Sequence, residues 1–202
     1  MSVPRLVLAT HNQHKVGELR AILAAAGVPA EGVVGAGDVG AGEPVEDGVT
    51  FTENAIIKAR ALVAHTGVAA VADDSGLAVD VLGGAPGIFS ARWAGRHGDD
   101  AANLDLLLAQ LADVPAAHRG AAFVCVAALV TPDGVEHVEI GTLRGTLLTA
   151  RRGEGGFGYD PILVPDGEVR ACAELSPEEK NAISHRGQAF RSLAPHIAAS
   201  LI

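Results

Sequence analysis

The chain is poor in aromatics and sulfur: its 202 residues include five Phe, one Trp, one Tyr, two Cys and one Met. Cys125 lies in an apolar run and Cys172 in an Ala-rich stretch. They have neither the spacing nor the neighbours of a zinc site, so both read as ordinary reduced thiols. No stretch approaches the about 20 consecutive apolar residues that a membrane span needs. The opening "MSVPRLVLAT" is too short and too lightly charged for a secretory signal, so the expectation is a cytoplasmic protein with no membrane partner. Basic residues are scarce as well, 15 Lys and Arg against 24 Asp and Glu, for a formal net charge of −9. That balance excludes a partner such as duplex nucleic acid, which requires a basic face to displace counterions from phosphates. An anionic ligand must therefore meet a local cluster of cations. Only three of the basic residues are Lys, and Lys15, Lys58 and Lys180 each fall inside an unusual polar stretch.

What is abundant is small or apolar: 25 Gly, and hydrophobic residues at 49% against 19% charged. This is a globular composition, and the length fits one two-lobed domain over residues 1–202. "RLVLAT" reads as a short buried strand, the polar "HNQHK" as a loop, and "VGELRAILAAAG" as a helix ending at Gly27. Residues 31–48 are Gly-rich and aperiodic, a loop with room for one strand. Thr50 and Glu53 have the spacing of a capping box, so "TENAIIKARALVAHTG" is predicted as a helix with Asn54 and Lys58 on one face. Residues 68–72 read as a buried strand that stops at Asp73 and Asp74. Asp99 and Asp100 start a further helix, and "GAAFVCVAALV", "TPDG" and "VEHVEIGTLRGTLL" form a hairpin. Ser176, Pro177 and Glu179 open another capped helix, and an amphipathic stretch closes the chain. The expected fold is α/β, a two-lobed mixed sheet with flanking helices and a central cleft.

Four polar constellations carry chemistry. Two adjacent carboxylates at the end of a buried strand require cationic partners, and neighbouring strand residues face opposite sides. One of Asp73 and Asp74 then suits a hard divalent cation such as Mg²⁺, with a second carboxylate from Glu43, Glu46 or Asp47, while the other accepts backbone or Ser hydrogen bonds beneath it. In "ATHNQHK" a polar loop leads into a helix start, which attracts phosphate, and Lys15 adds charge; the glycines of a Walker loop are missing. "GEGGFGYDP" combines glycines with Phe157 and Tyr159, whose ring faces can stack a base. In "SPEEKNAISHRG", Lys180 can meet a phosphate, and His185 with Arg186 offers hydrogen-bond donors to a base edge.

"LATHNQHKVGEL", "FTENAIIKARA", "ADDSGLAVDVLGGAPGIFSARWAG", "GGFGYDPI" and "ELSPEEKNAISHRGQAF", in this order, resemble the noncanonical purine nucleoside triphosphate pyrophosphatases, the inosine/xanthosine triphosphatases. The resemblance spans about Leu6 to Phe190. It implies a two-lobed homodimer that uses Mg²⁺ to hydrolyse dITP, ITP and XTP to the monophosphate and pyrophosphate. It further implies that Thr10, His11, Asn12, Gln13, His14 and Lys15 cradle the triphosphate, and that Glu46 and Asp74 bind the metal. Asp74 would also accept the proton. Ser75 would contact substrate, Lys58 a phosphate, Phe157, Gly158, Tyr159, Asp160 and Lys180 the nucleotide, and His185 with Arg186 the base. Two alternatives stay open: a pyrophosphatase for other modified nucleotides, and a nucleotide-binding module without turnover.

Overall fold

The structure, a computed structural model, describes residues 5–11 and 13–201; of His14 it describes the backbone only. Asn12 and the His14 side chain, both assigned to the phosphate cradle above, lie outside the described residues. Six strands, β1 (Leu6–Leu8), β2 (Val33–Gly35), β3 (Ala69–Val79), β4 (Gly120–Val130), β5 (Glu136–Leu147) and β6 (Leu163–Pro165), form one mixed sheet in the order β2-β1-β3-β4-β5-β6. β1 pairs in parallel with β2 (Leu6 opposite Val33) and with β3 (Leu6 opposite Ala69), whereas β5 and β6 are antiparallel. The helices are α1 (Gln13–Ala25), α2 (Phe51–Thr66), α3 (Asp100–Gln110), α4 (Pro177–Ile183) and α5 (His185–Ser200).

The chain divides into two compact units, one of residues 1–74, 125–141 and 186–202, the other of residues 75–124 and 142–185. In the first unit the strand alternation sorts side chains between two apolar layers. Leu6 and Leu8 of β1 pack with Leu19 and Leu23 of α1 and Phe190 and Leu193 of α5, while Val7 packs with Leu62 of α2. The second unit is built around Leu77, Leu104, Leu107, Phe123, Leu147 and Ile162. There the guanidinium of Arg119, 1% exposed, donates to the carbonyls of Leu147 (2.9 Å), Leu111 (2.6 Å) and Leu148 (2.7 Å), so its polar atoms are satisfied without a carboxylate.

The helix starts follow the expected capping chemistry. Thr50 Oγ1 accepts from Glu53 N (3.1 Å), and Ser176 Oγ accepts from Glu179 N (3.2 Å) with Pro177 at the first helical position. Asp99 caps α3 through Ala102 N (3.2 Å). One expectation fails: β3 does not stop at the acids but runs on through Asp73, Asp74, Ser75 and Gly76 to Val79. Each aspartate meets a cation on its own side of the strand, so the chain has no need to break there. Gly76 allows a close approach inside the second unit, where a Cβ would lie 2.5 Å from both the Gly87 carbonyl oxygen and Ser90 Oγ. Ser90 Oγ in turn accepts from Leu77 N (2.8 Å) and donates to Gly87 O (2.6 Å).

Candidate active site

In the first unit, α2 presents Asn54 and Lys58 to Asp74. Lys58 Nζ donates to Asp74 Oδ1 (3.2 Å) and lies 3.4 Å from Glu46 Oε2; Asn54 Nδ2 donates to Asp74 Oδ2 (3.3 Å). Of the three carboxylates left open as a partner for Asp74, it is Glu46 that shares its ammonium, while Glu43 lies 3.5 Å from His11 Nδ1. The proton affinity of the Asp74 carboxylate is raised. Burial is the largest cause, opposed by the neighbouring Lys58 ammonium and reinforced by the negative charge of Glu46. Asp73, on the other side of β3, accepts from Arg186 Nη2 (2.7 Å). The Arg186 guanidinium lies 5.3 Å from the centroid of Phe190 and its Nε 3.9 Å from Glu18. One of the two aspartates was expected to accept backbone or Ser hydrogen bonds; Asp73 accepts from this arginine, brought in from α5 across more than a hundred residues of sequence.

The loop before α1 is tied to residues 35–41. The Thr10 carbonyl accepts from Ala36 N (3.0 Å), the His11 ring lies 3.1 Å from the Ala41 carbonyl, and Gln13 Nε2 donates to Asp38 (3.3 Å). The Asp38 carboxyl is held below its ordinary range, first by the Gly35 N–H (2.9 Å) and then by Gln13. Lys15 is half-buried in the first turn of α1, where the helix start and its charge together favour an anion.

In the second unit, Phe157 is 74% exposed and presents a ring face, and the ammonium of Lys180 lies 4.9 Å from its centroid. Tyr159 corrects the stacking expectation, since its ring belongs to the apolar cluster and its hydroxyl donates to the Ser90 carbonyl (2.9 Å). Burial raises that phenol far above its ordinary range. Asp160 is 3% exposed, accepts from Phe157 N (2.8 Å) and pairs with Lys180 (2.5 Å). Gly158 N donates to Asp100 (2.9 Å), Ser75 is exposed on β3, and the His185 ring stacks on Phe123 with centroids 5.2 Å apart. Both thiols are buried, and burial pushes Cys172 up to about 12, so neither is equipped as a nucleophile.

The donor set around Asp74 fits a hard divalent cation. Glu46 and Asp74 already converge on one positive charge and offer only oxygens, and Mg²⁺ characteristically takes one or two carboxylates and fills its remaining positions with water and substrate phosphate. Among the described residues no group of three or more His, Cys, Asp and Glu forms an all-protein cage. Asn54, Asp38 and Ser90 were not picked out as functional from the sequence. Only Asn54 gave a signal there, its shared helix face with Lys58.

The Ham1 family model matches residues 6–196. A dITP/XTP pyrophosphatase of Streptomyces coelicolor is 65% identical over 191 residues, which are 95% of this chain and 96% of that relative. The crystal structure of a nucleoside-triphosphatase / dITP/XTP pyrophosphatase from Mycobacterium abscessus aligns with a TM-score of 0.79 at 54% identity, covering 94% of this chain and 98% of that one. A HAM1 protein from Coxiella burnetii aligns at 0.88 with 38% identity, covering 98% and 100%. With family model, sequence relatives and folds in agreement over nearly its whole length, the chain belongs to the Ham1 family.

Proposed function

We propose that this protein is a cytoplasmic, Mg²⁺-dependent hydrolase that cleaves the noncanonical purine nucleotides dITP, ITP and XTP to the nucleoside monophosphate and pyrophosphate, removing them from the nucleotide pool. The observation that carries the reading is the Asp74 carboxylate, partly buried, fixed at both oxygens by α2 and sharing the Lys58 cation with Glu46. Relatives named dITP/XTP pyrophosphatase at 54–65% identity support the substrate class.

In this reading water attacks the α-phosphorus, the bond to the α–β bridging oxygen breaks, pyrophosphate leaves, and Asp74 takes the proton from the attacking water. Held at both oxygens by α2, that carboxylate has the fixed geometry that orienting a water requires. Lys15 and Lys58 neutralise phosphate charge, which is the main requirement of phosphoryl-type transfers. Glu46 and Asp74 would hold Mg²⁺, and the ion would supply further charge neutralisation and help orient the triphosphate. Phe157 offers the base a ring face and Lys180 a cation beside it. Hypoxanthine and xanthine carry an acceptor at C6, where adenine carries a donor. Donors from His185 and Arg186 would thus be left unmatched by adenine.

The test is pyrophosphate release from dITP, ITP, XTP, GTP, ATP and dTTP, with Mg²⁺ and with a chelator. The reading predicts fast, Mg²⁺-dependent release from the first three, and equal rates across the panel would contradict it. The homodimer implied by the family resemblance is a separate proposal, tested by sedimentation equilibrium.

A further inference from the structure

Asp74 is gripped from one helix by two side chains, and the grip uses both of its oxygens. Lys58 takes Oδ1 at 3.2 Å and Asn54 takes Oδ2 at 3.3 Å. The two residues are one helical turn apart on α2, the spacing that places side chains on a common face. Lys58 is a point charge with a second partner in Glu46, so it cannot by itself fix the rotation of the carboxylate. Asn54 is 2% exposed and its amide is planar and short. An ionised carboxylate only accepts hydrogen bonds, so the Asn54 amide must turn its Nδ2 towards Asp74.

That orientation has a cost. Among the described residues it leaves Asn54 Oδ1 buried with no hydrogen-bond partner, and an unsatisfied buried acceptor is destabilising. The loop that carries Glu46 adds a second constraint. A Cβ at residue 48 would lie 2.6 Å from Asn54 Oδ1 and 2.7 Å from Glu53 Cβ, so only glycine lets the backbone pass this close over the first turn of α2. The capping box at Thr50 and Glu53 pins the same turn, with Glu53 Oε2 also accepting from Val49 N (2.7 Å). An orphaned acceptor and a glycine-only approach are both tolerated around one amide, and what that amide does is hold Asp74.

We propose that Asn54 is a positioning residue of this site: its Nδ2 sets the plane of the Asp74 carboxylate, leaving Lys58 free to exchange Asp74 and Glu46 for substrate phosphate. The inference rests on the proposed role of Asp74 in hydrolysis. It assigns Asn54 no contact with the reacting atoms.

The experiment compares wild type, Asn54→Ala and the near-isosteric Asn54→Leu, which keeps the volume and removes the donor. For each, kcat and KM on dITP are measured together with melting temperature and, without nucleotide, Mn²⁺ affinity by electron paramagnetic resonance. Residues that orient metal-site carboxylates typically change affinity or activity by about 10- to 100-fold when removed. Both variants are therefore expected to lose that much in kcat with KM for dITP unchanged, and to bind Mn²⁺ more weakly, while still melting cooperatively. Wild-type kcat in either folded variant would overturn the proposal, as would a rise in KM with kcat retained. A wild-type protein that does not hydrolyse dITP would instead refute the functional reading, and the Mn²⁺ comparison would still decide whether Asn54 orders the carboxylate.

Discussion

The scarcity of lysine proved informative at the level of single residues. Lys58 and Lys180 each meet a carboxylate, Asp74 and Asp160, and Lys15 opens the helix that follows the polar loop. What sequence could not supply was the pairing itself. Asp73 with Arg186 and Asp160 with Lys180 are contacts between distant segments, and no local pattern encodes them. The only Tyr in the chain shows the same limit from the other side. Its glycine-rich surroundings fit an exposed platform and a buried plug equally well, and only the packing assigns Tyr159 to the core and Phe157 to the surface. Phe157 is thus the ring to which the proposed base contact falls. Replacing it by Ala is expected to raise KM for dITP roughly 10-fold, the scale of one lost base–aromatic stack, with kcat largely retained. Steady-state kinetics checks this, and an unchanged KM would remove Phe157 from the base site.

Among the elements, helix starts were legible and the central strand was not. The Thr50–Glu53 and Ser176–Glu179 boxes are local chemistry written within four residues, and both form as expected. β3 defeated the same reading because Asp, Ser and Gly disfavour strand, and their cost is offset here by long-range partners. The second box carries a pH prediction. Glu179 is held below the ordinary glutamate range, first by the Ser176 N–H (2.8 Å) and then by the Arg170 guanidinium (3.0 Å). A group whose folded proton affinity is lowered stabilises above its unfolded pKa and loses that contribution as pH falls through the folded value. Glu179→Gln, which keeps the size and removes the charge, should then melt below wild type at neutral pH. The gap should close as the solution is acidified past about pH 4, below the ordinary glutamate value. Thermal melts across that range check it, and a gap independent of pH would show that the charge of Glu179 does not support α4.

For the whole molecule, the order β2-β1-β3-β4-β5-β6 departs from chain order only in exchanging β1 and β2, which sets β3 between β1 and β4. The α/β class and the hairpin partners β4 and β5 followed from periodicity and turn residues. The strand order did not, because parallel neighbours such as β1 and β3 are joined by crossovers whose destination the local sequence does not state. No described helix is long and apolar enough to cross a membrane. The net charge of −9 makes any anionic ligand depend on local cations, and two of the three lysines, Lys58 and Lys180, each pair with a carboxylate in their own unit.

In the proposed reaction Asp74 directs water to the α-phosphorus of a deaminated purine nucleotide. The measurement that tests it most directly is phosphorus NMR of the products from dITP and Mg²⁺, for wild type and for Asp74→Asn. The wild type is expected to yield one dIMP and one pyrophosphate per dITP, and the variant to lose turnover while keeping its fold and melting behaviour. Release of dIDP and orthophosphate, or an Asp74→Asn protein as active as the wild type, would contradict it.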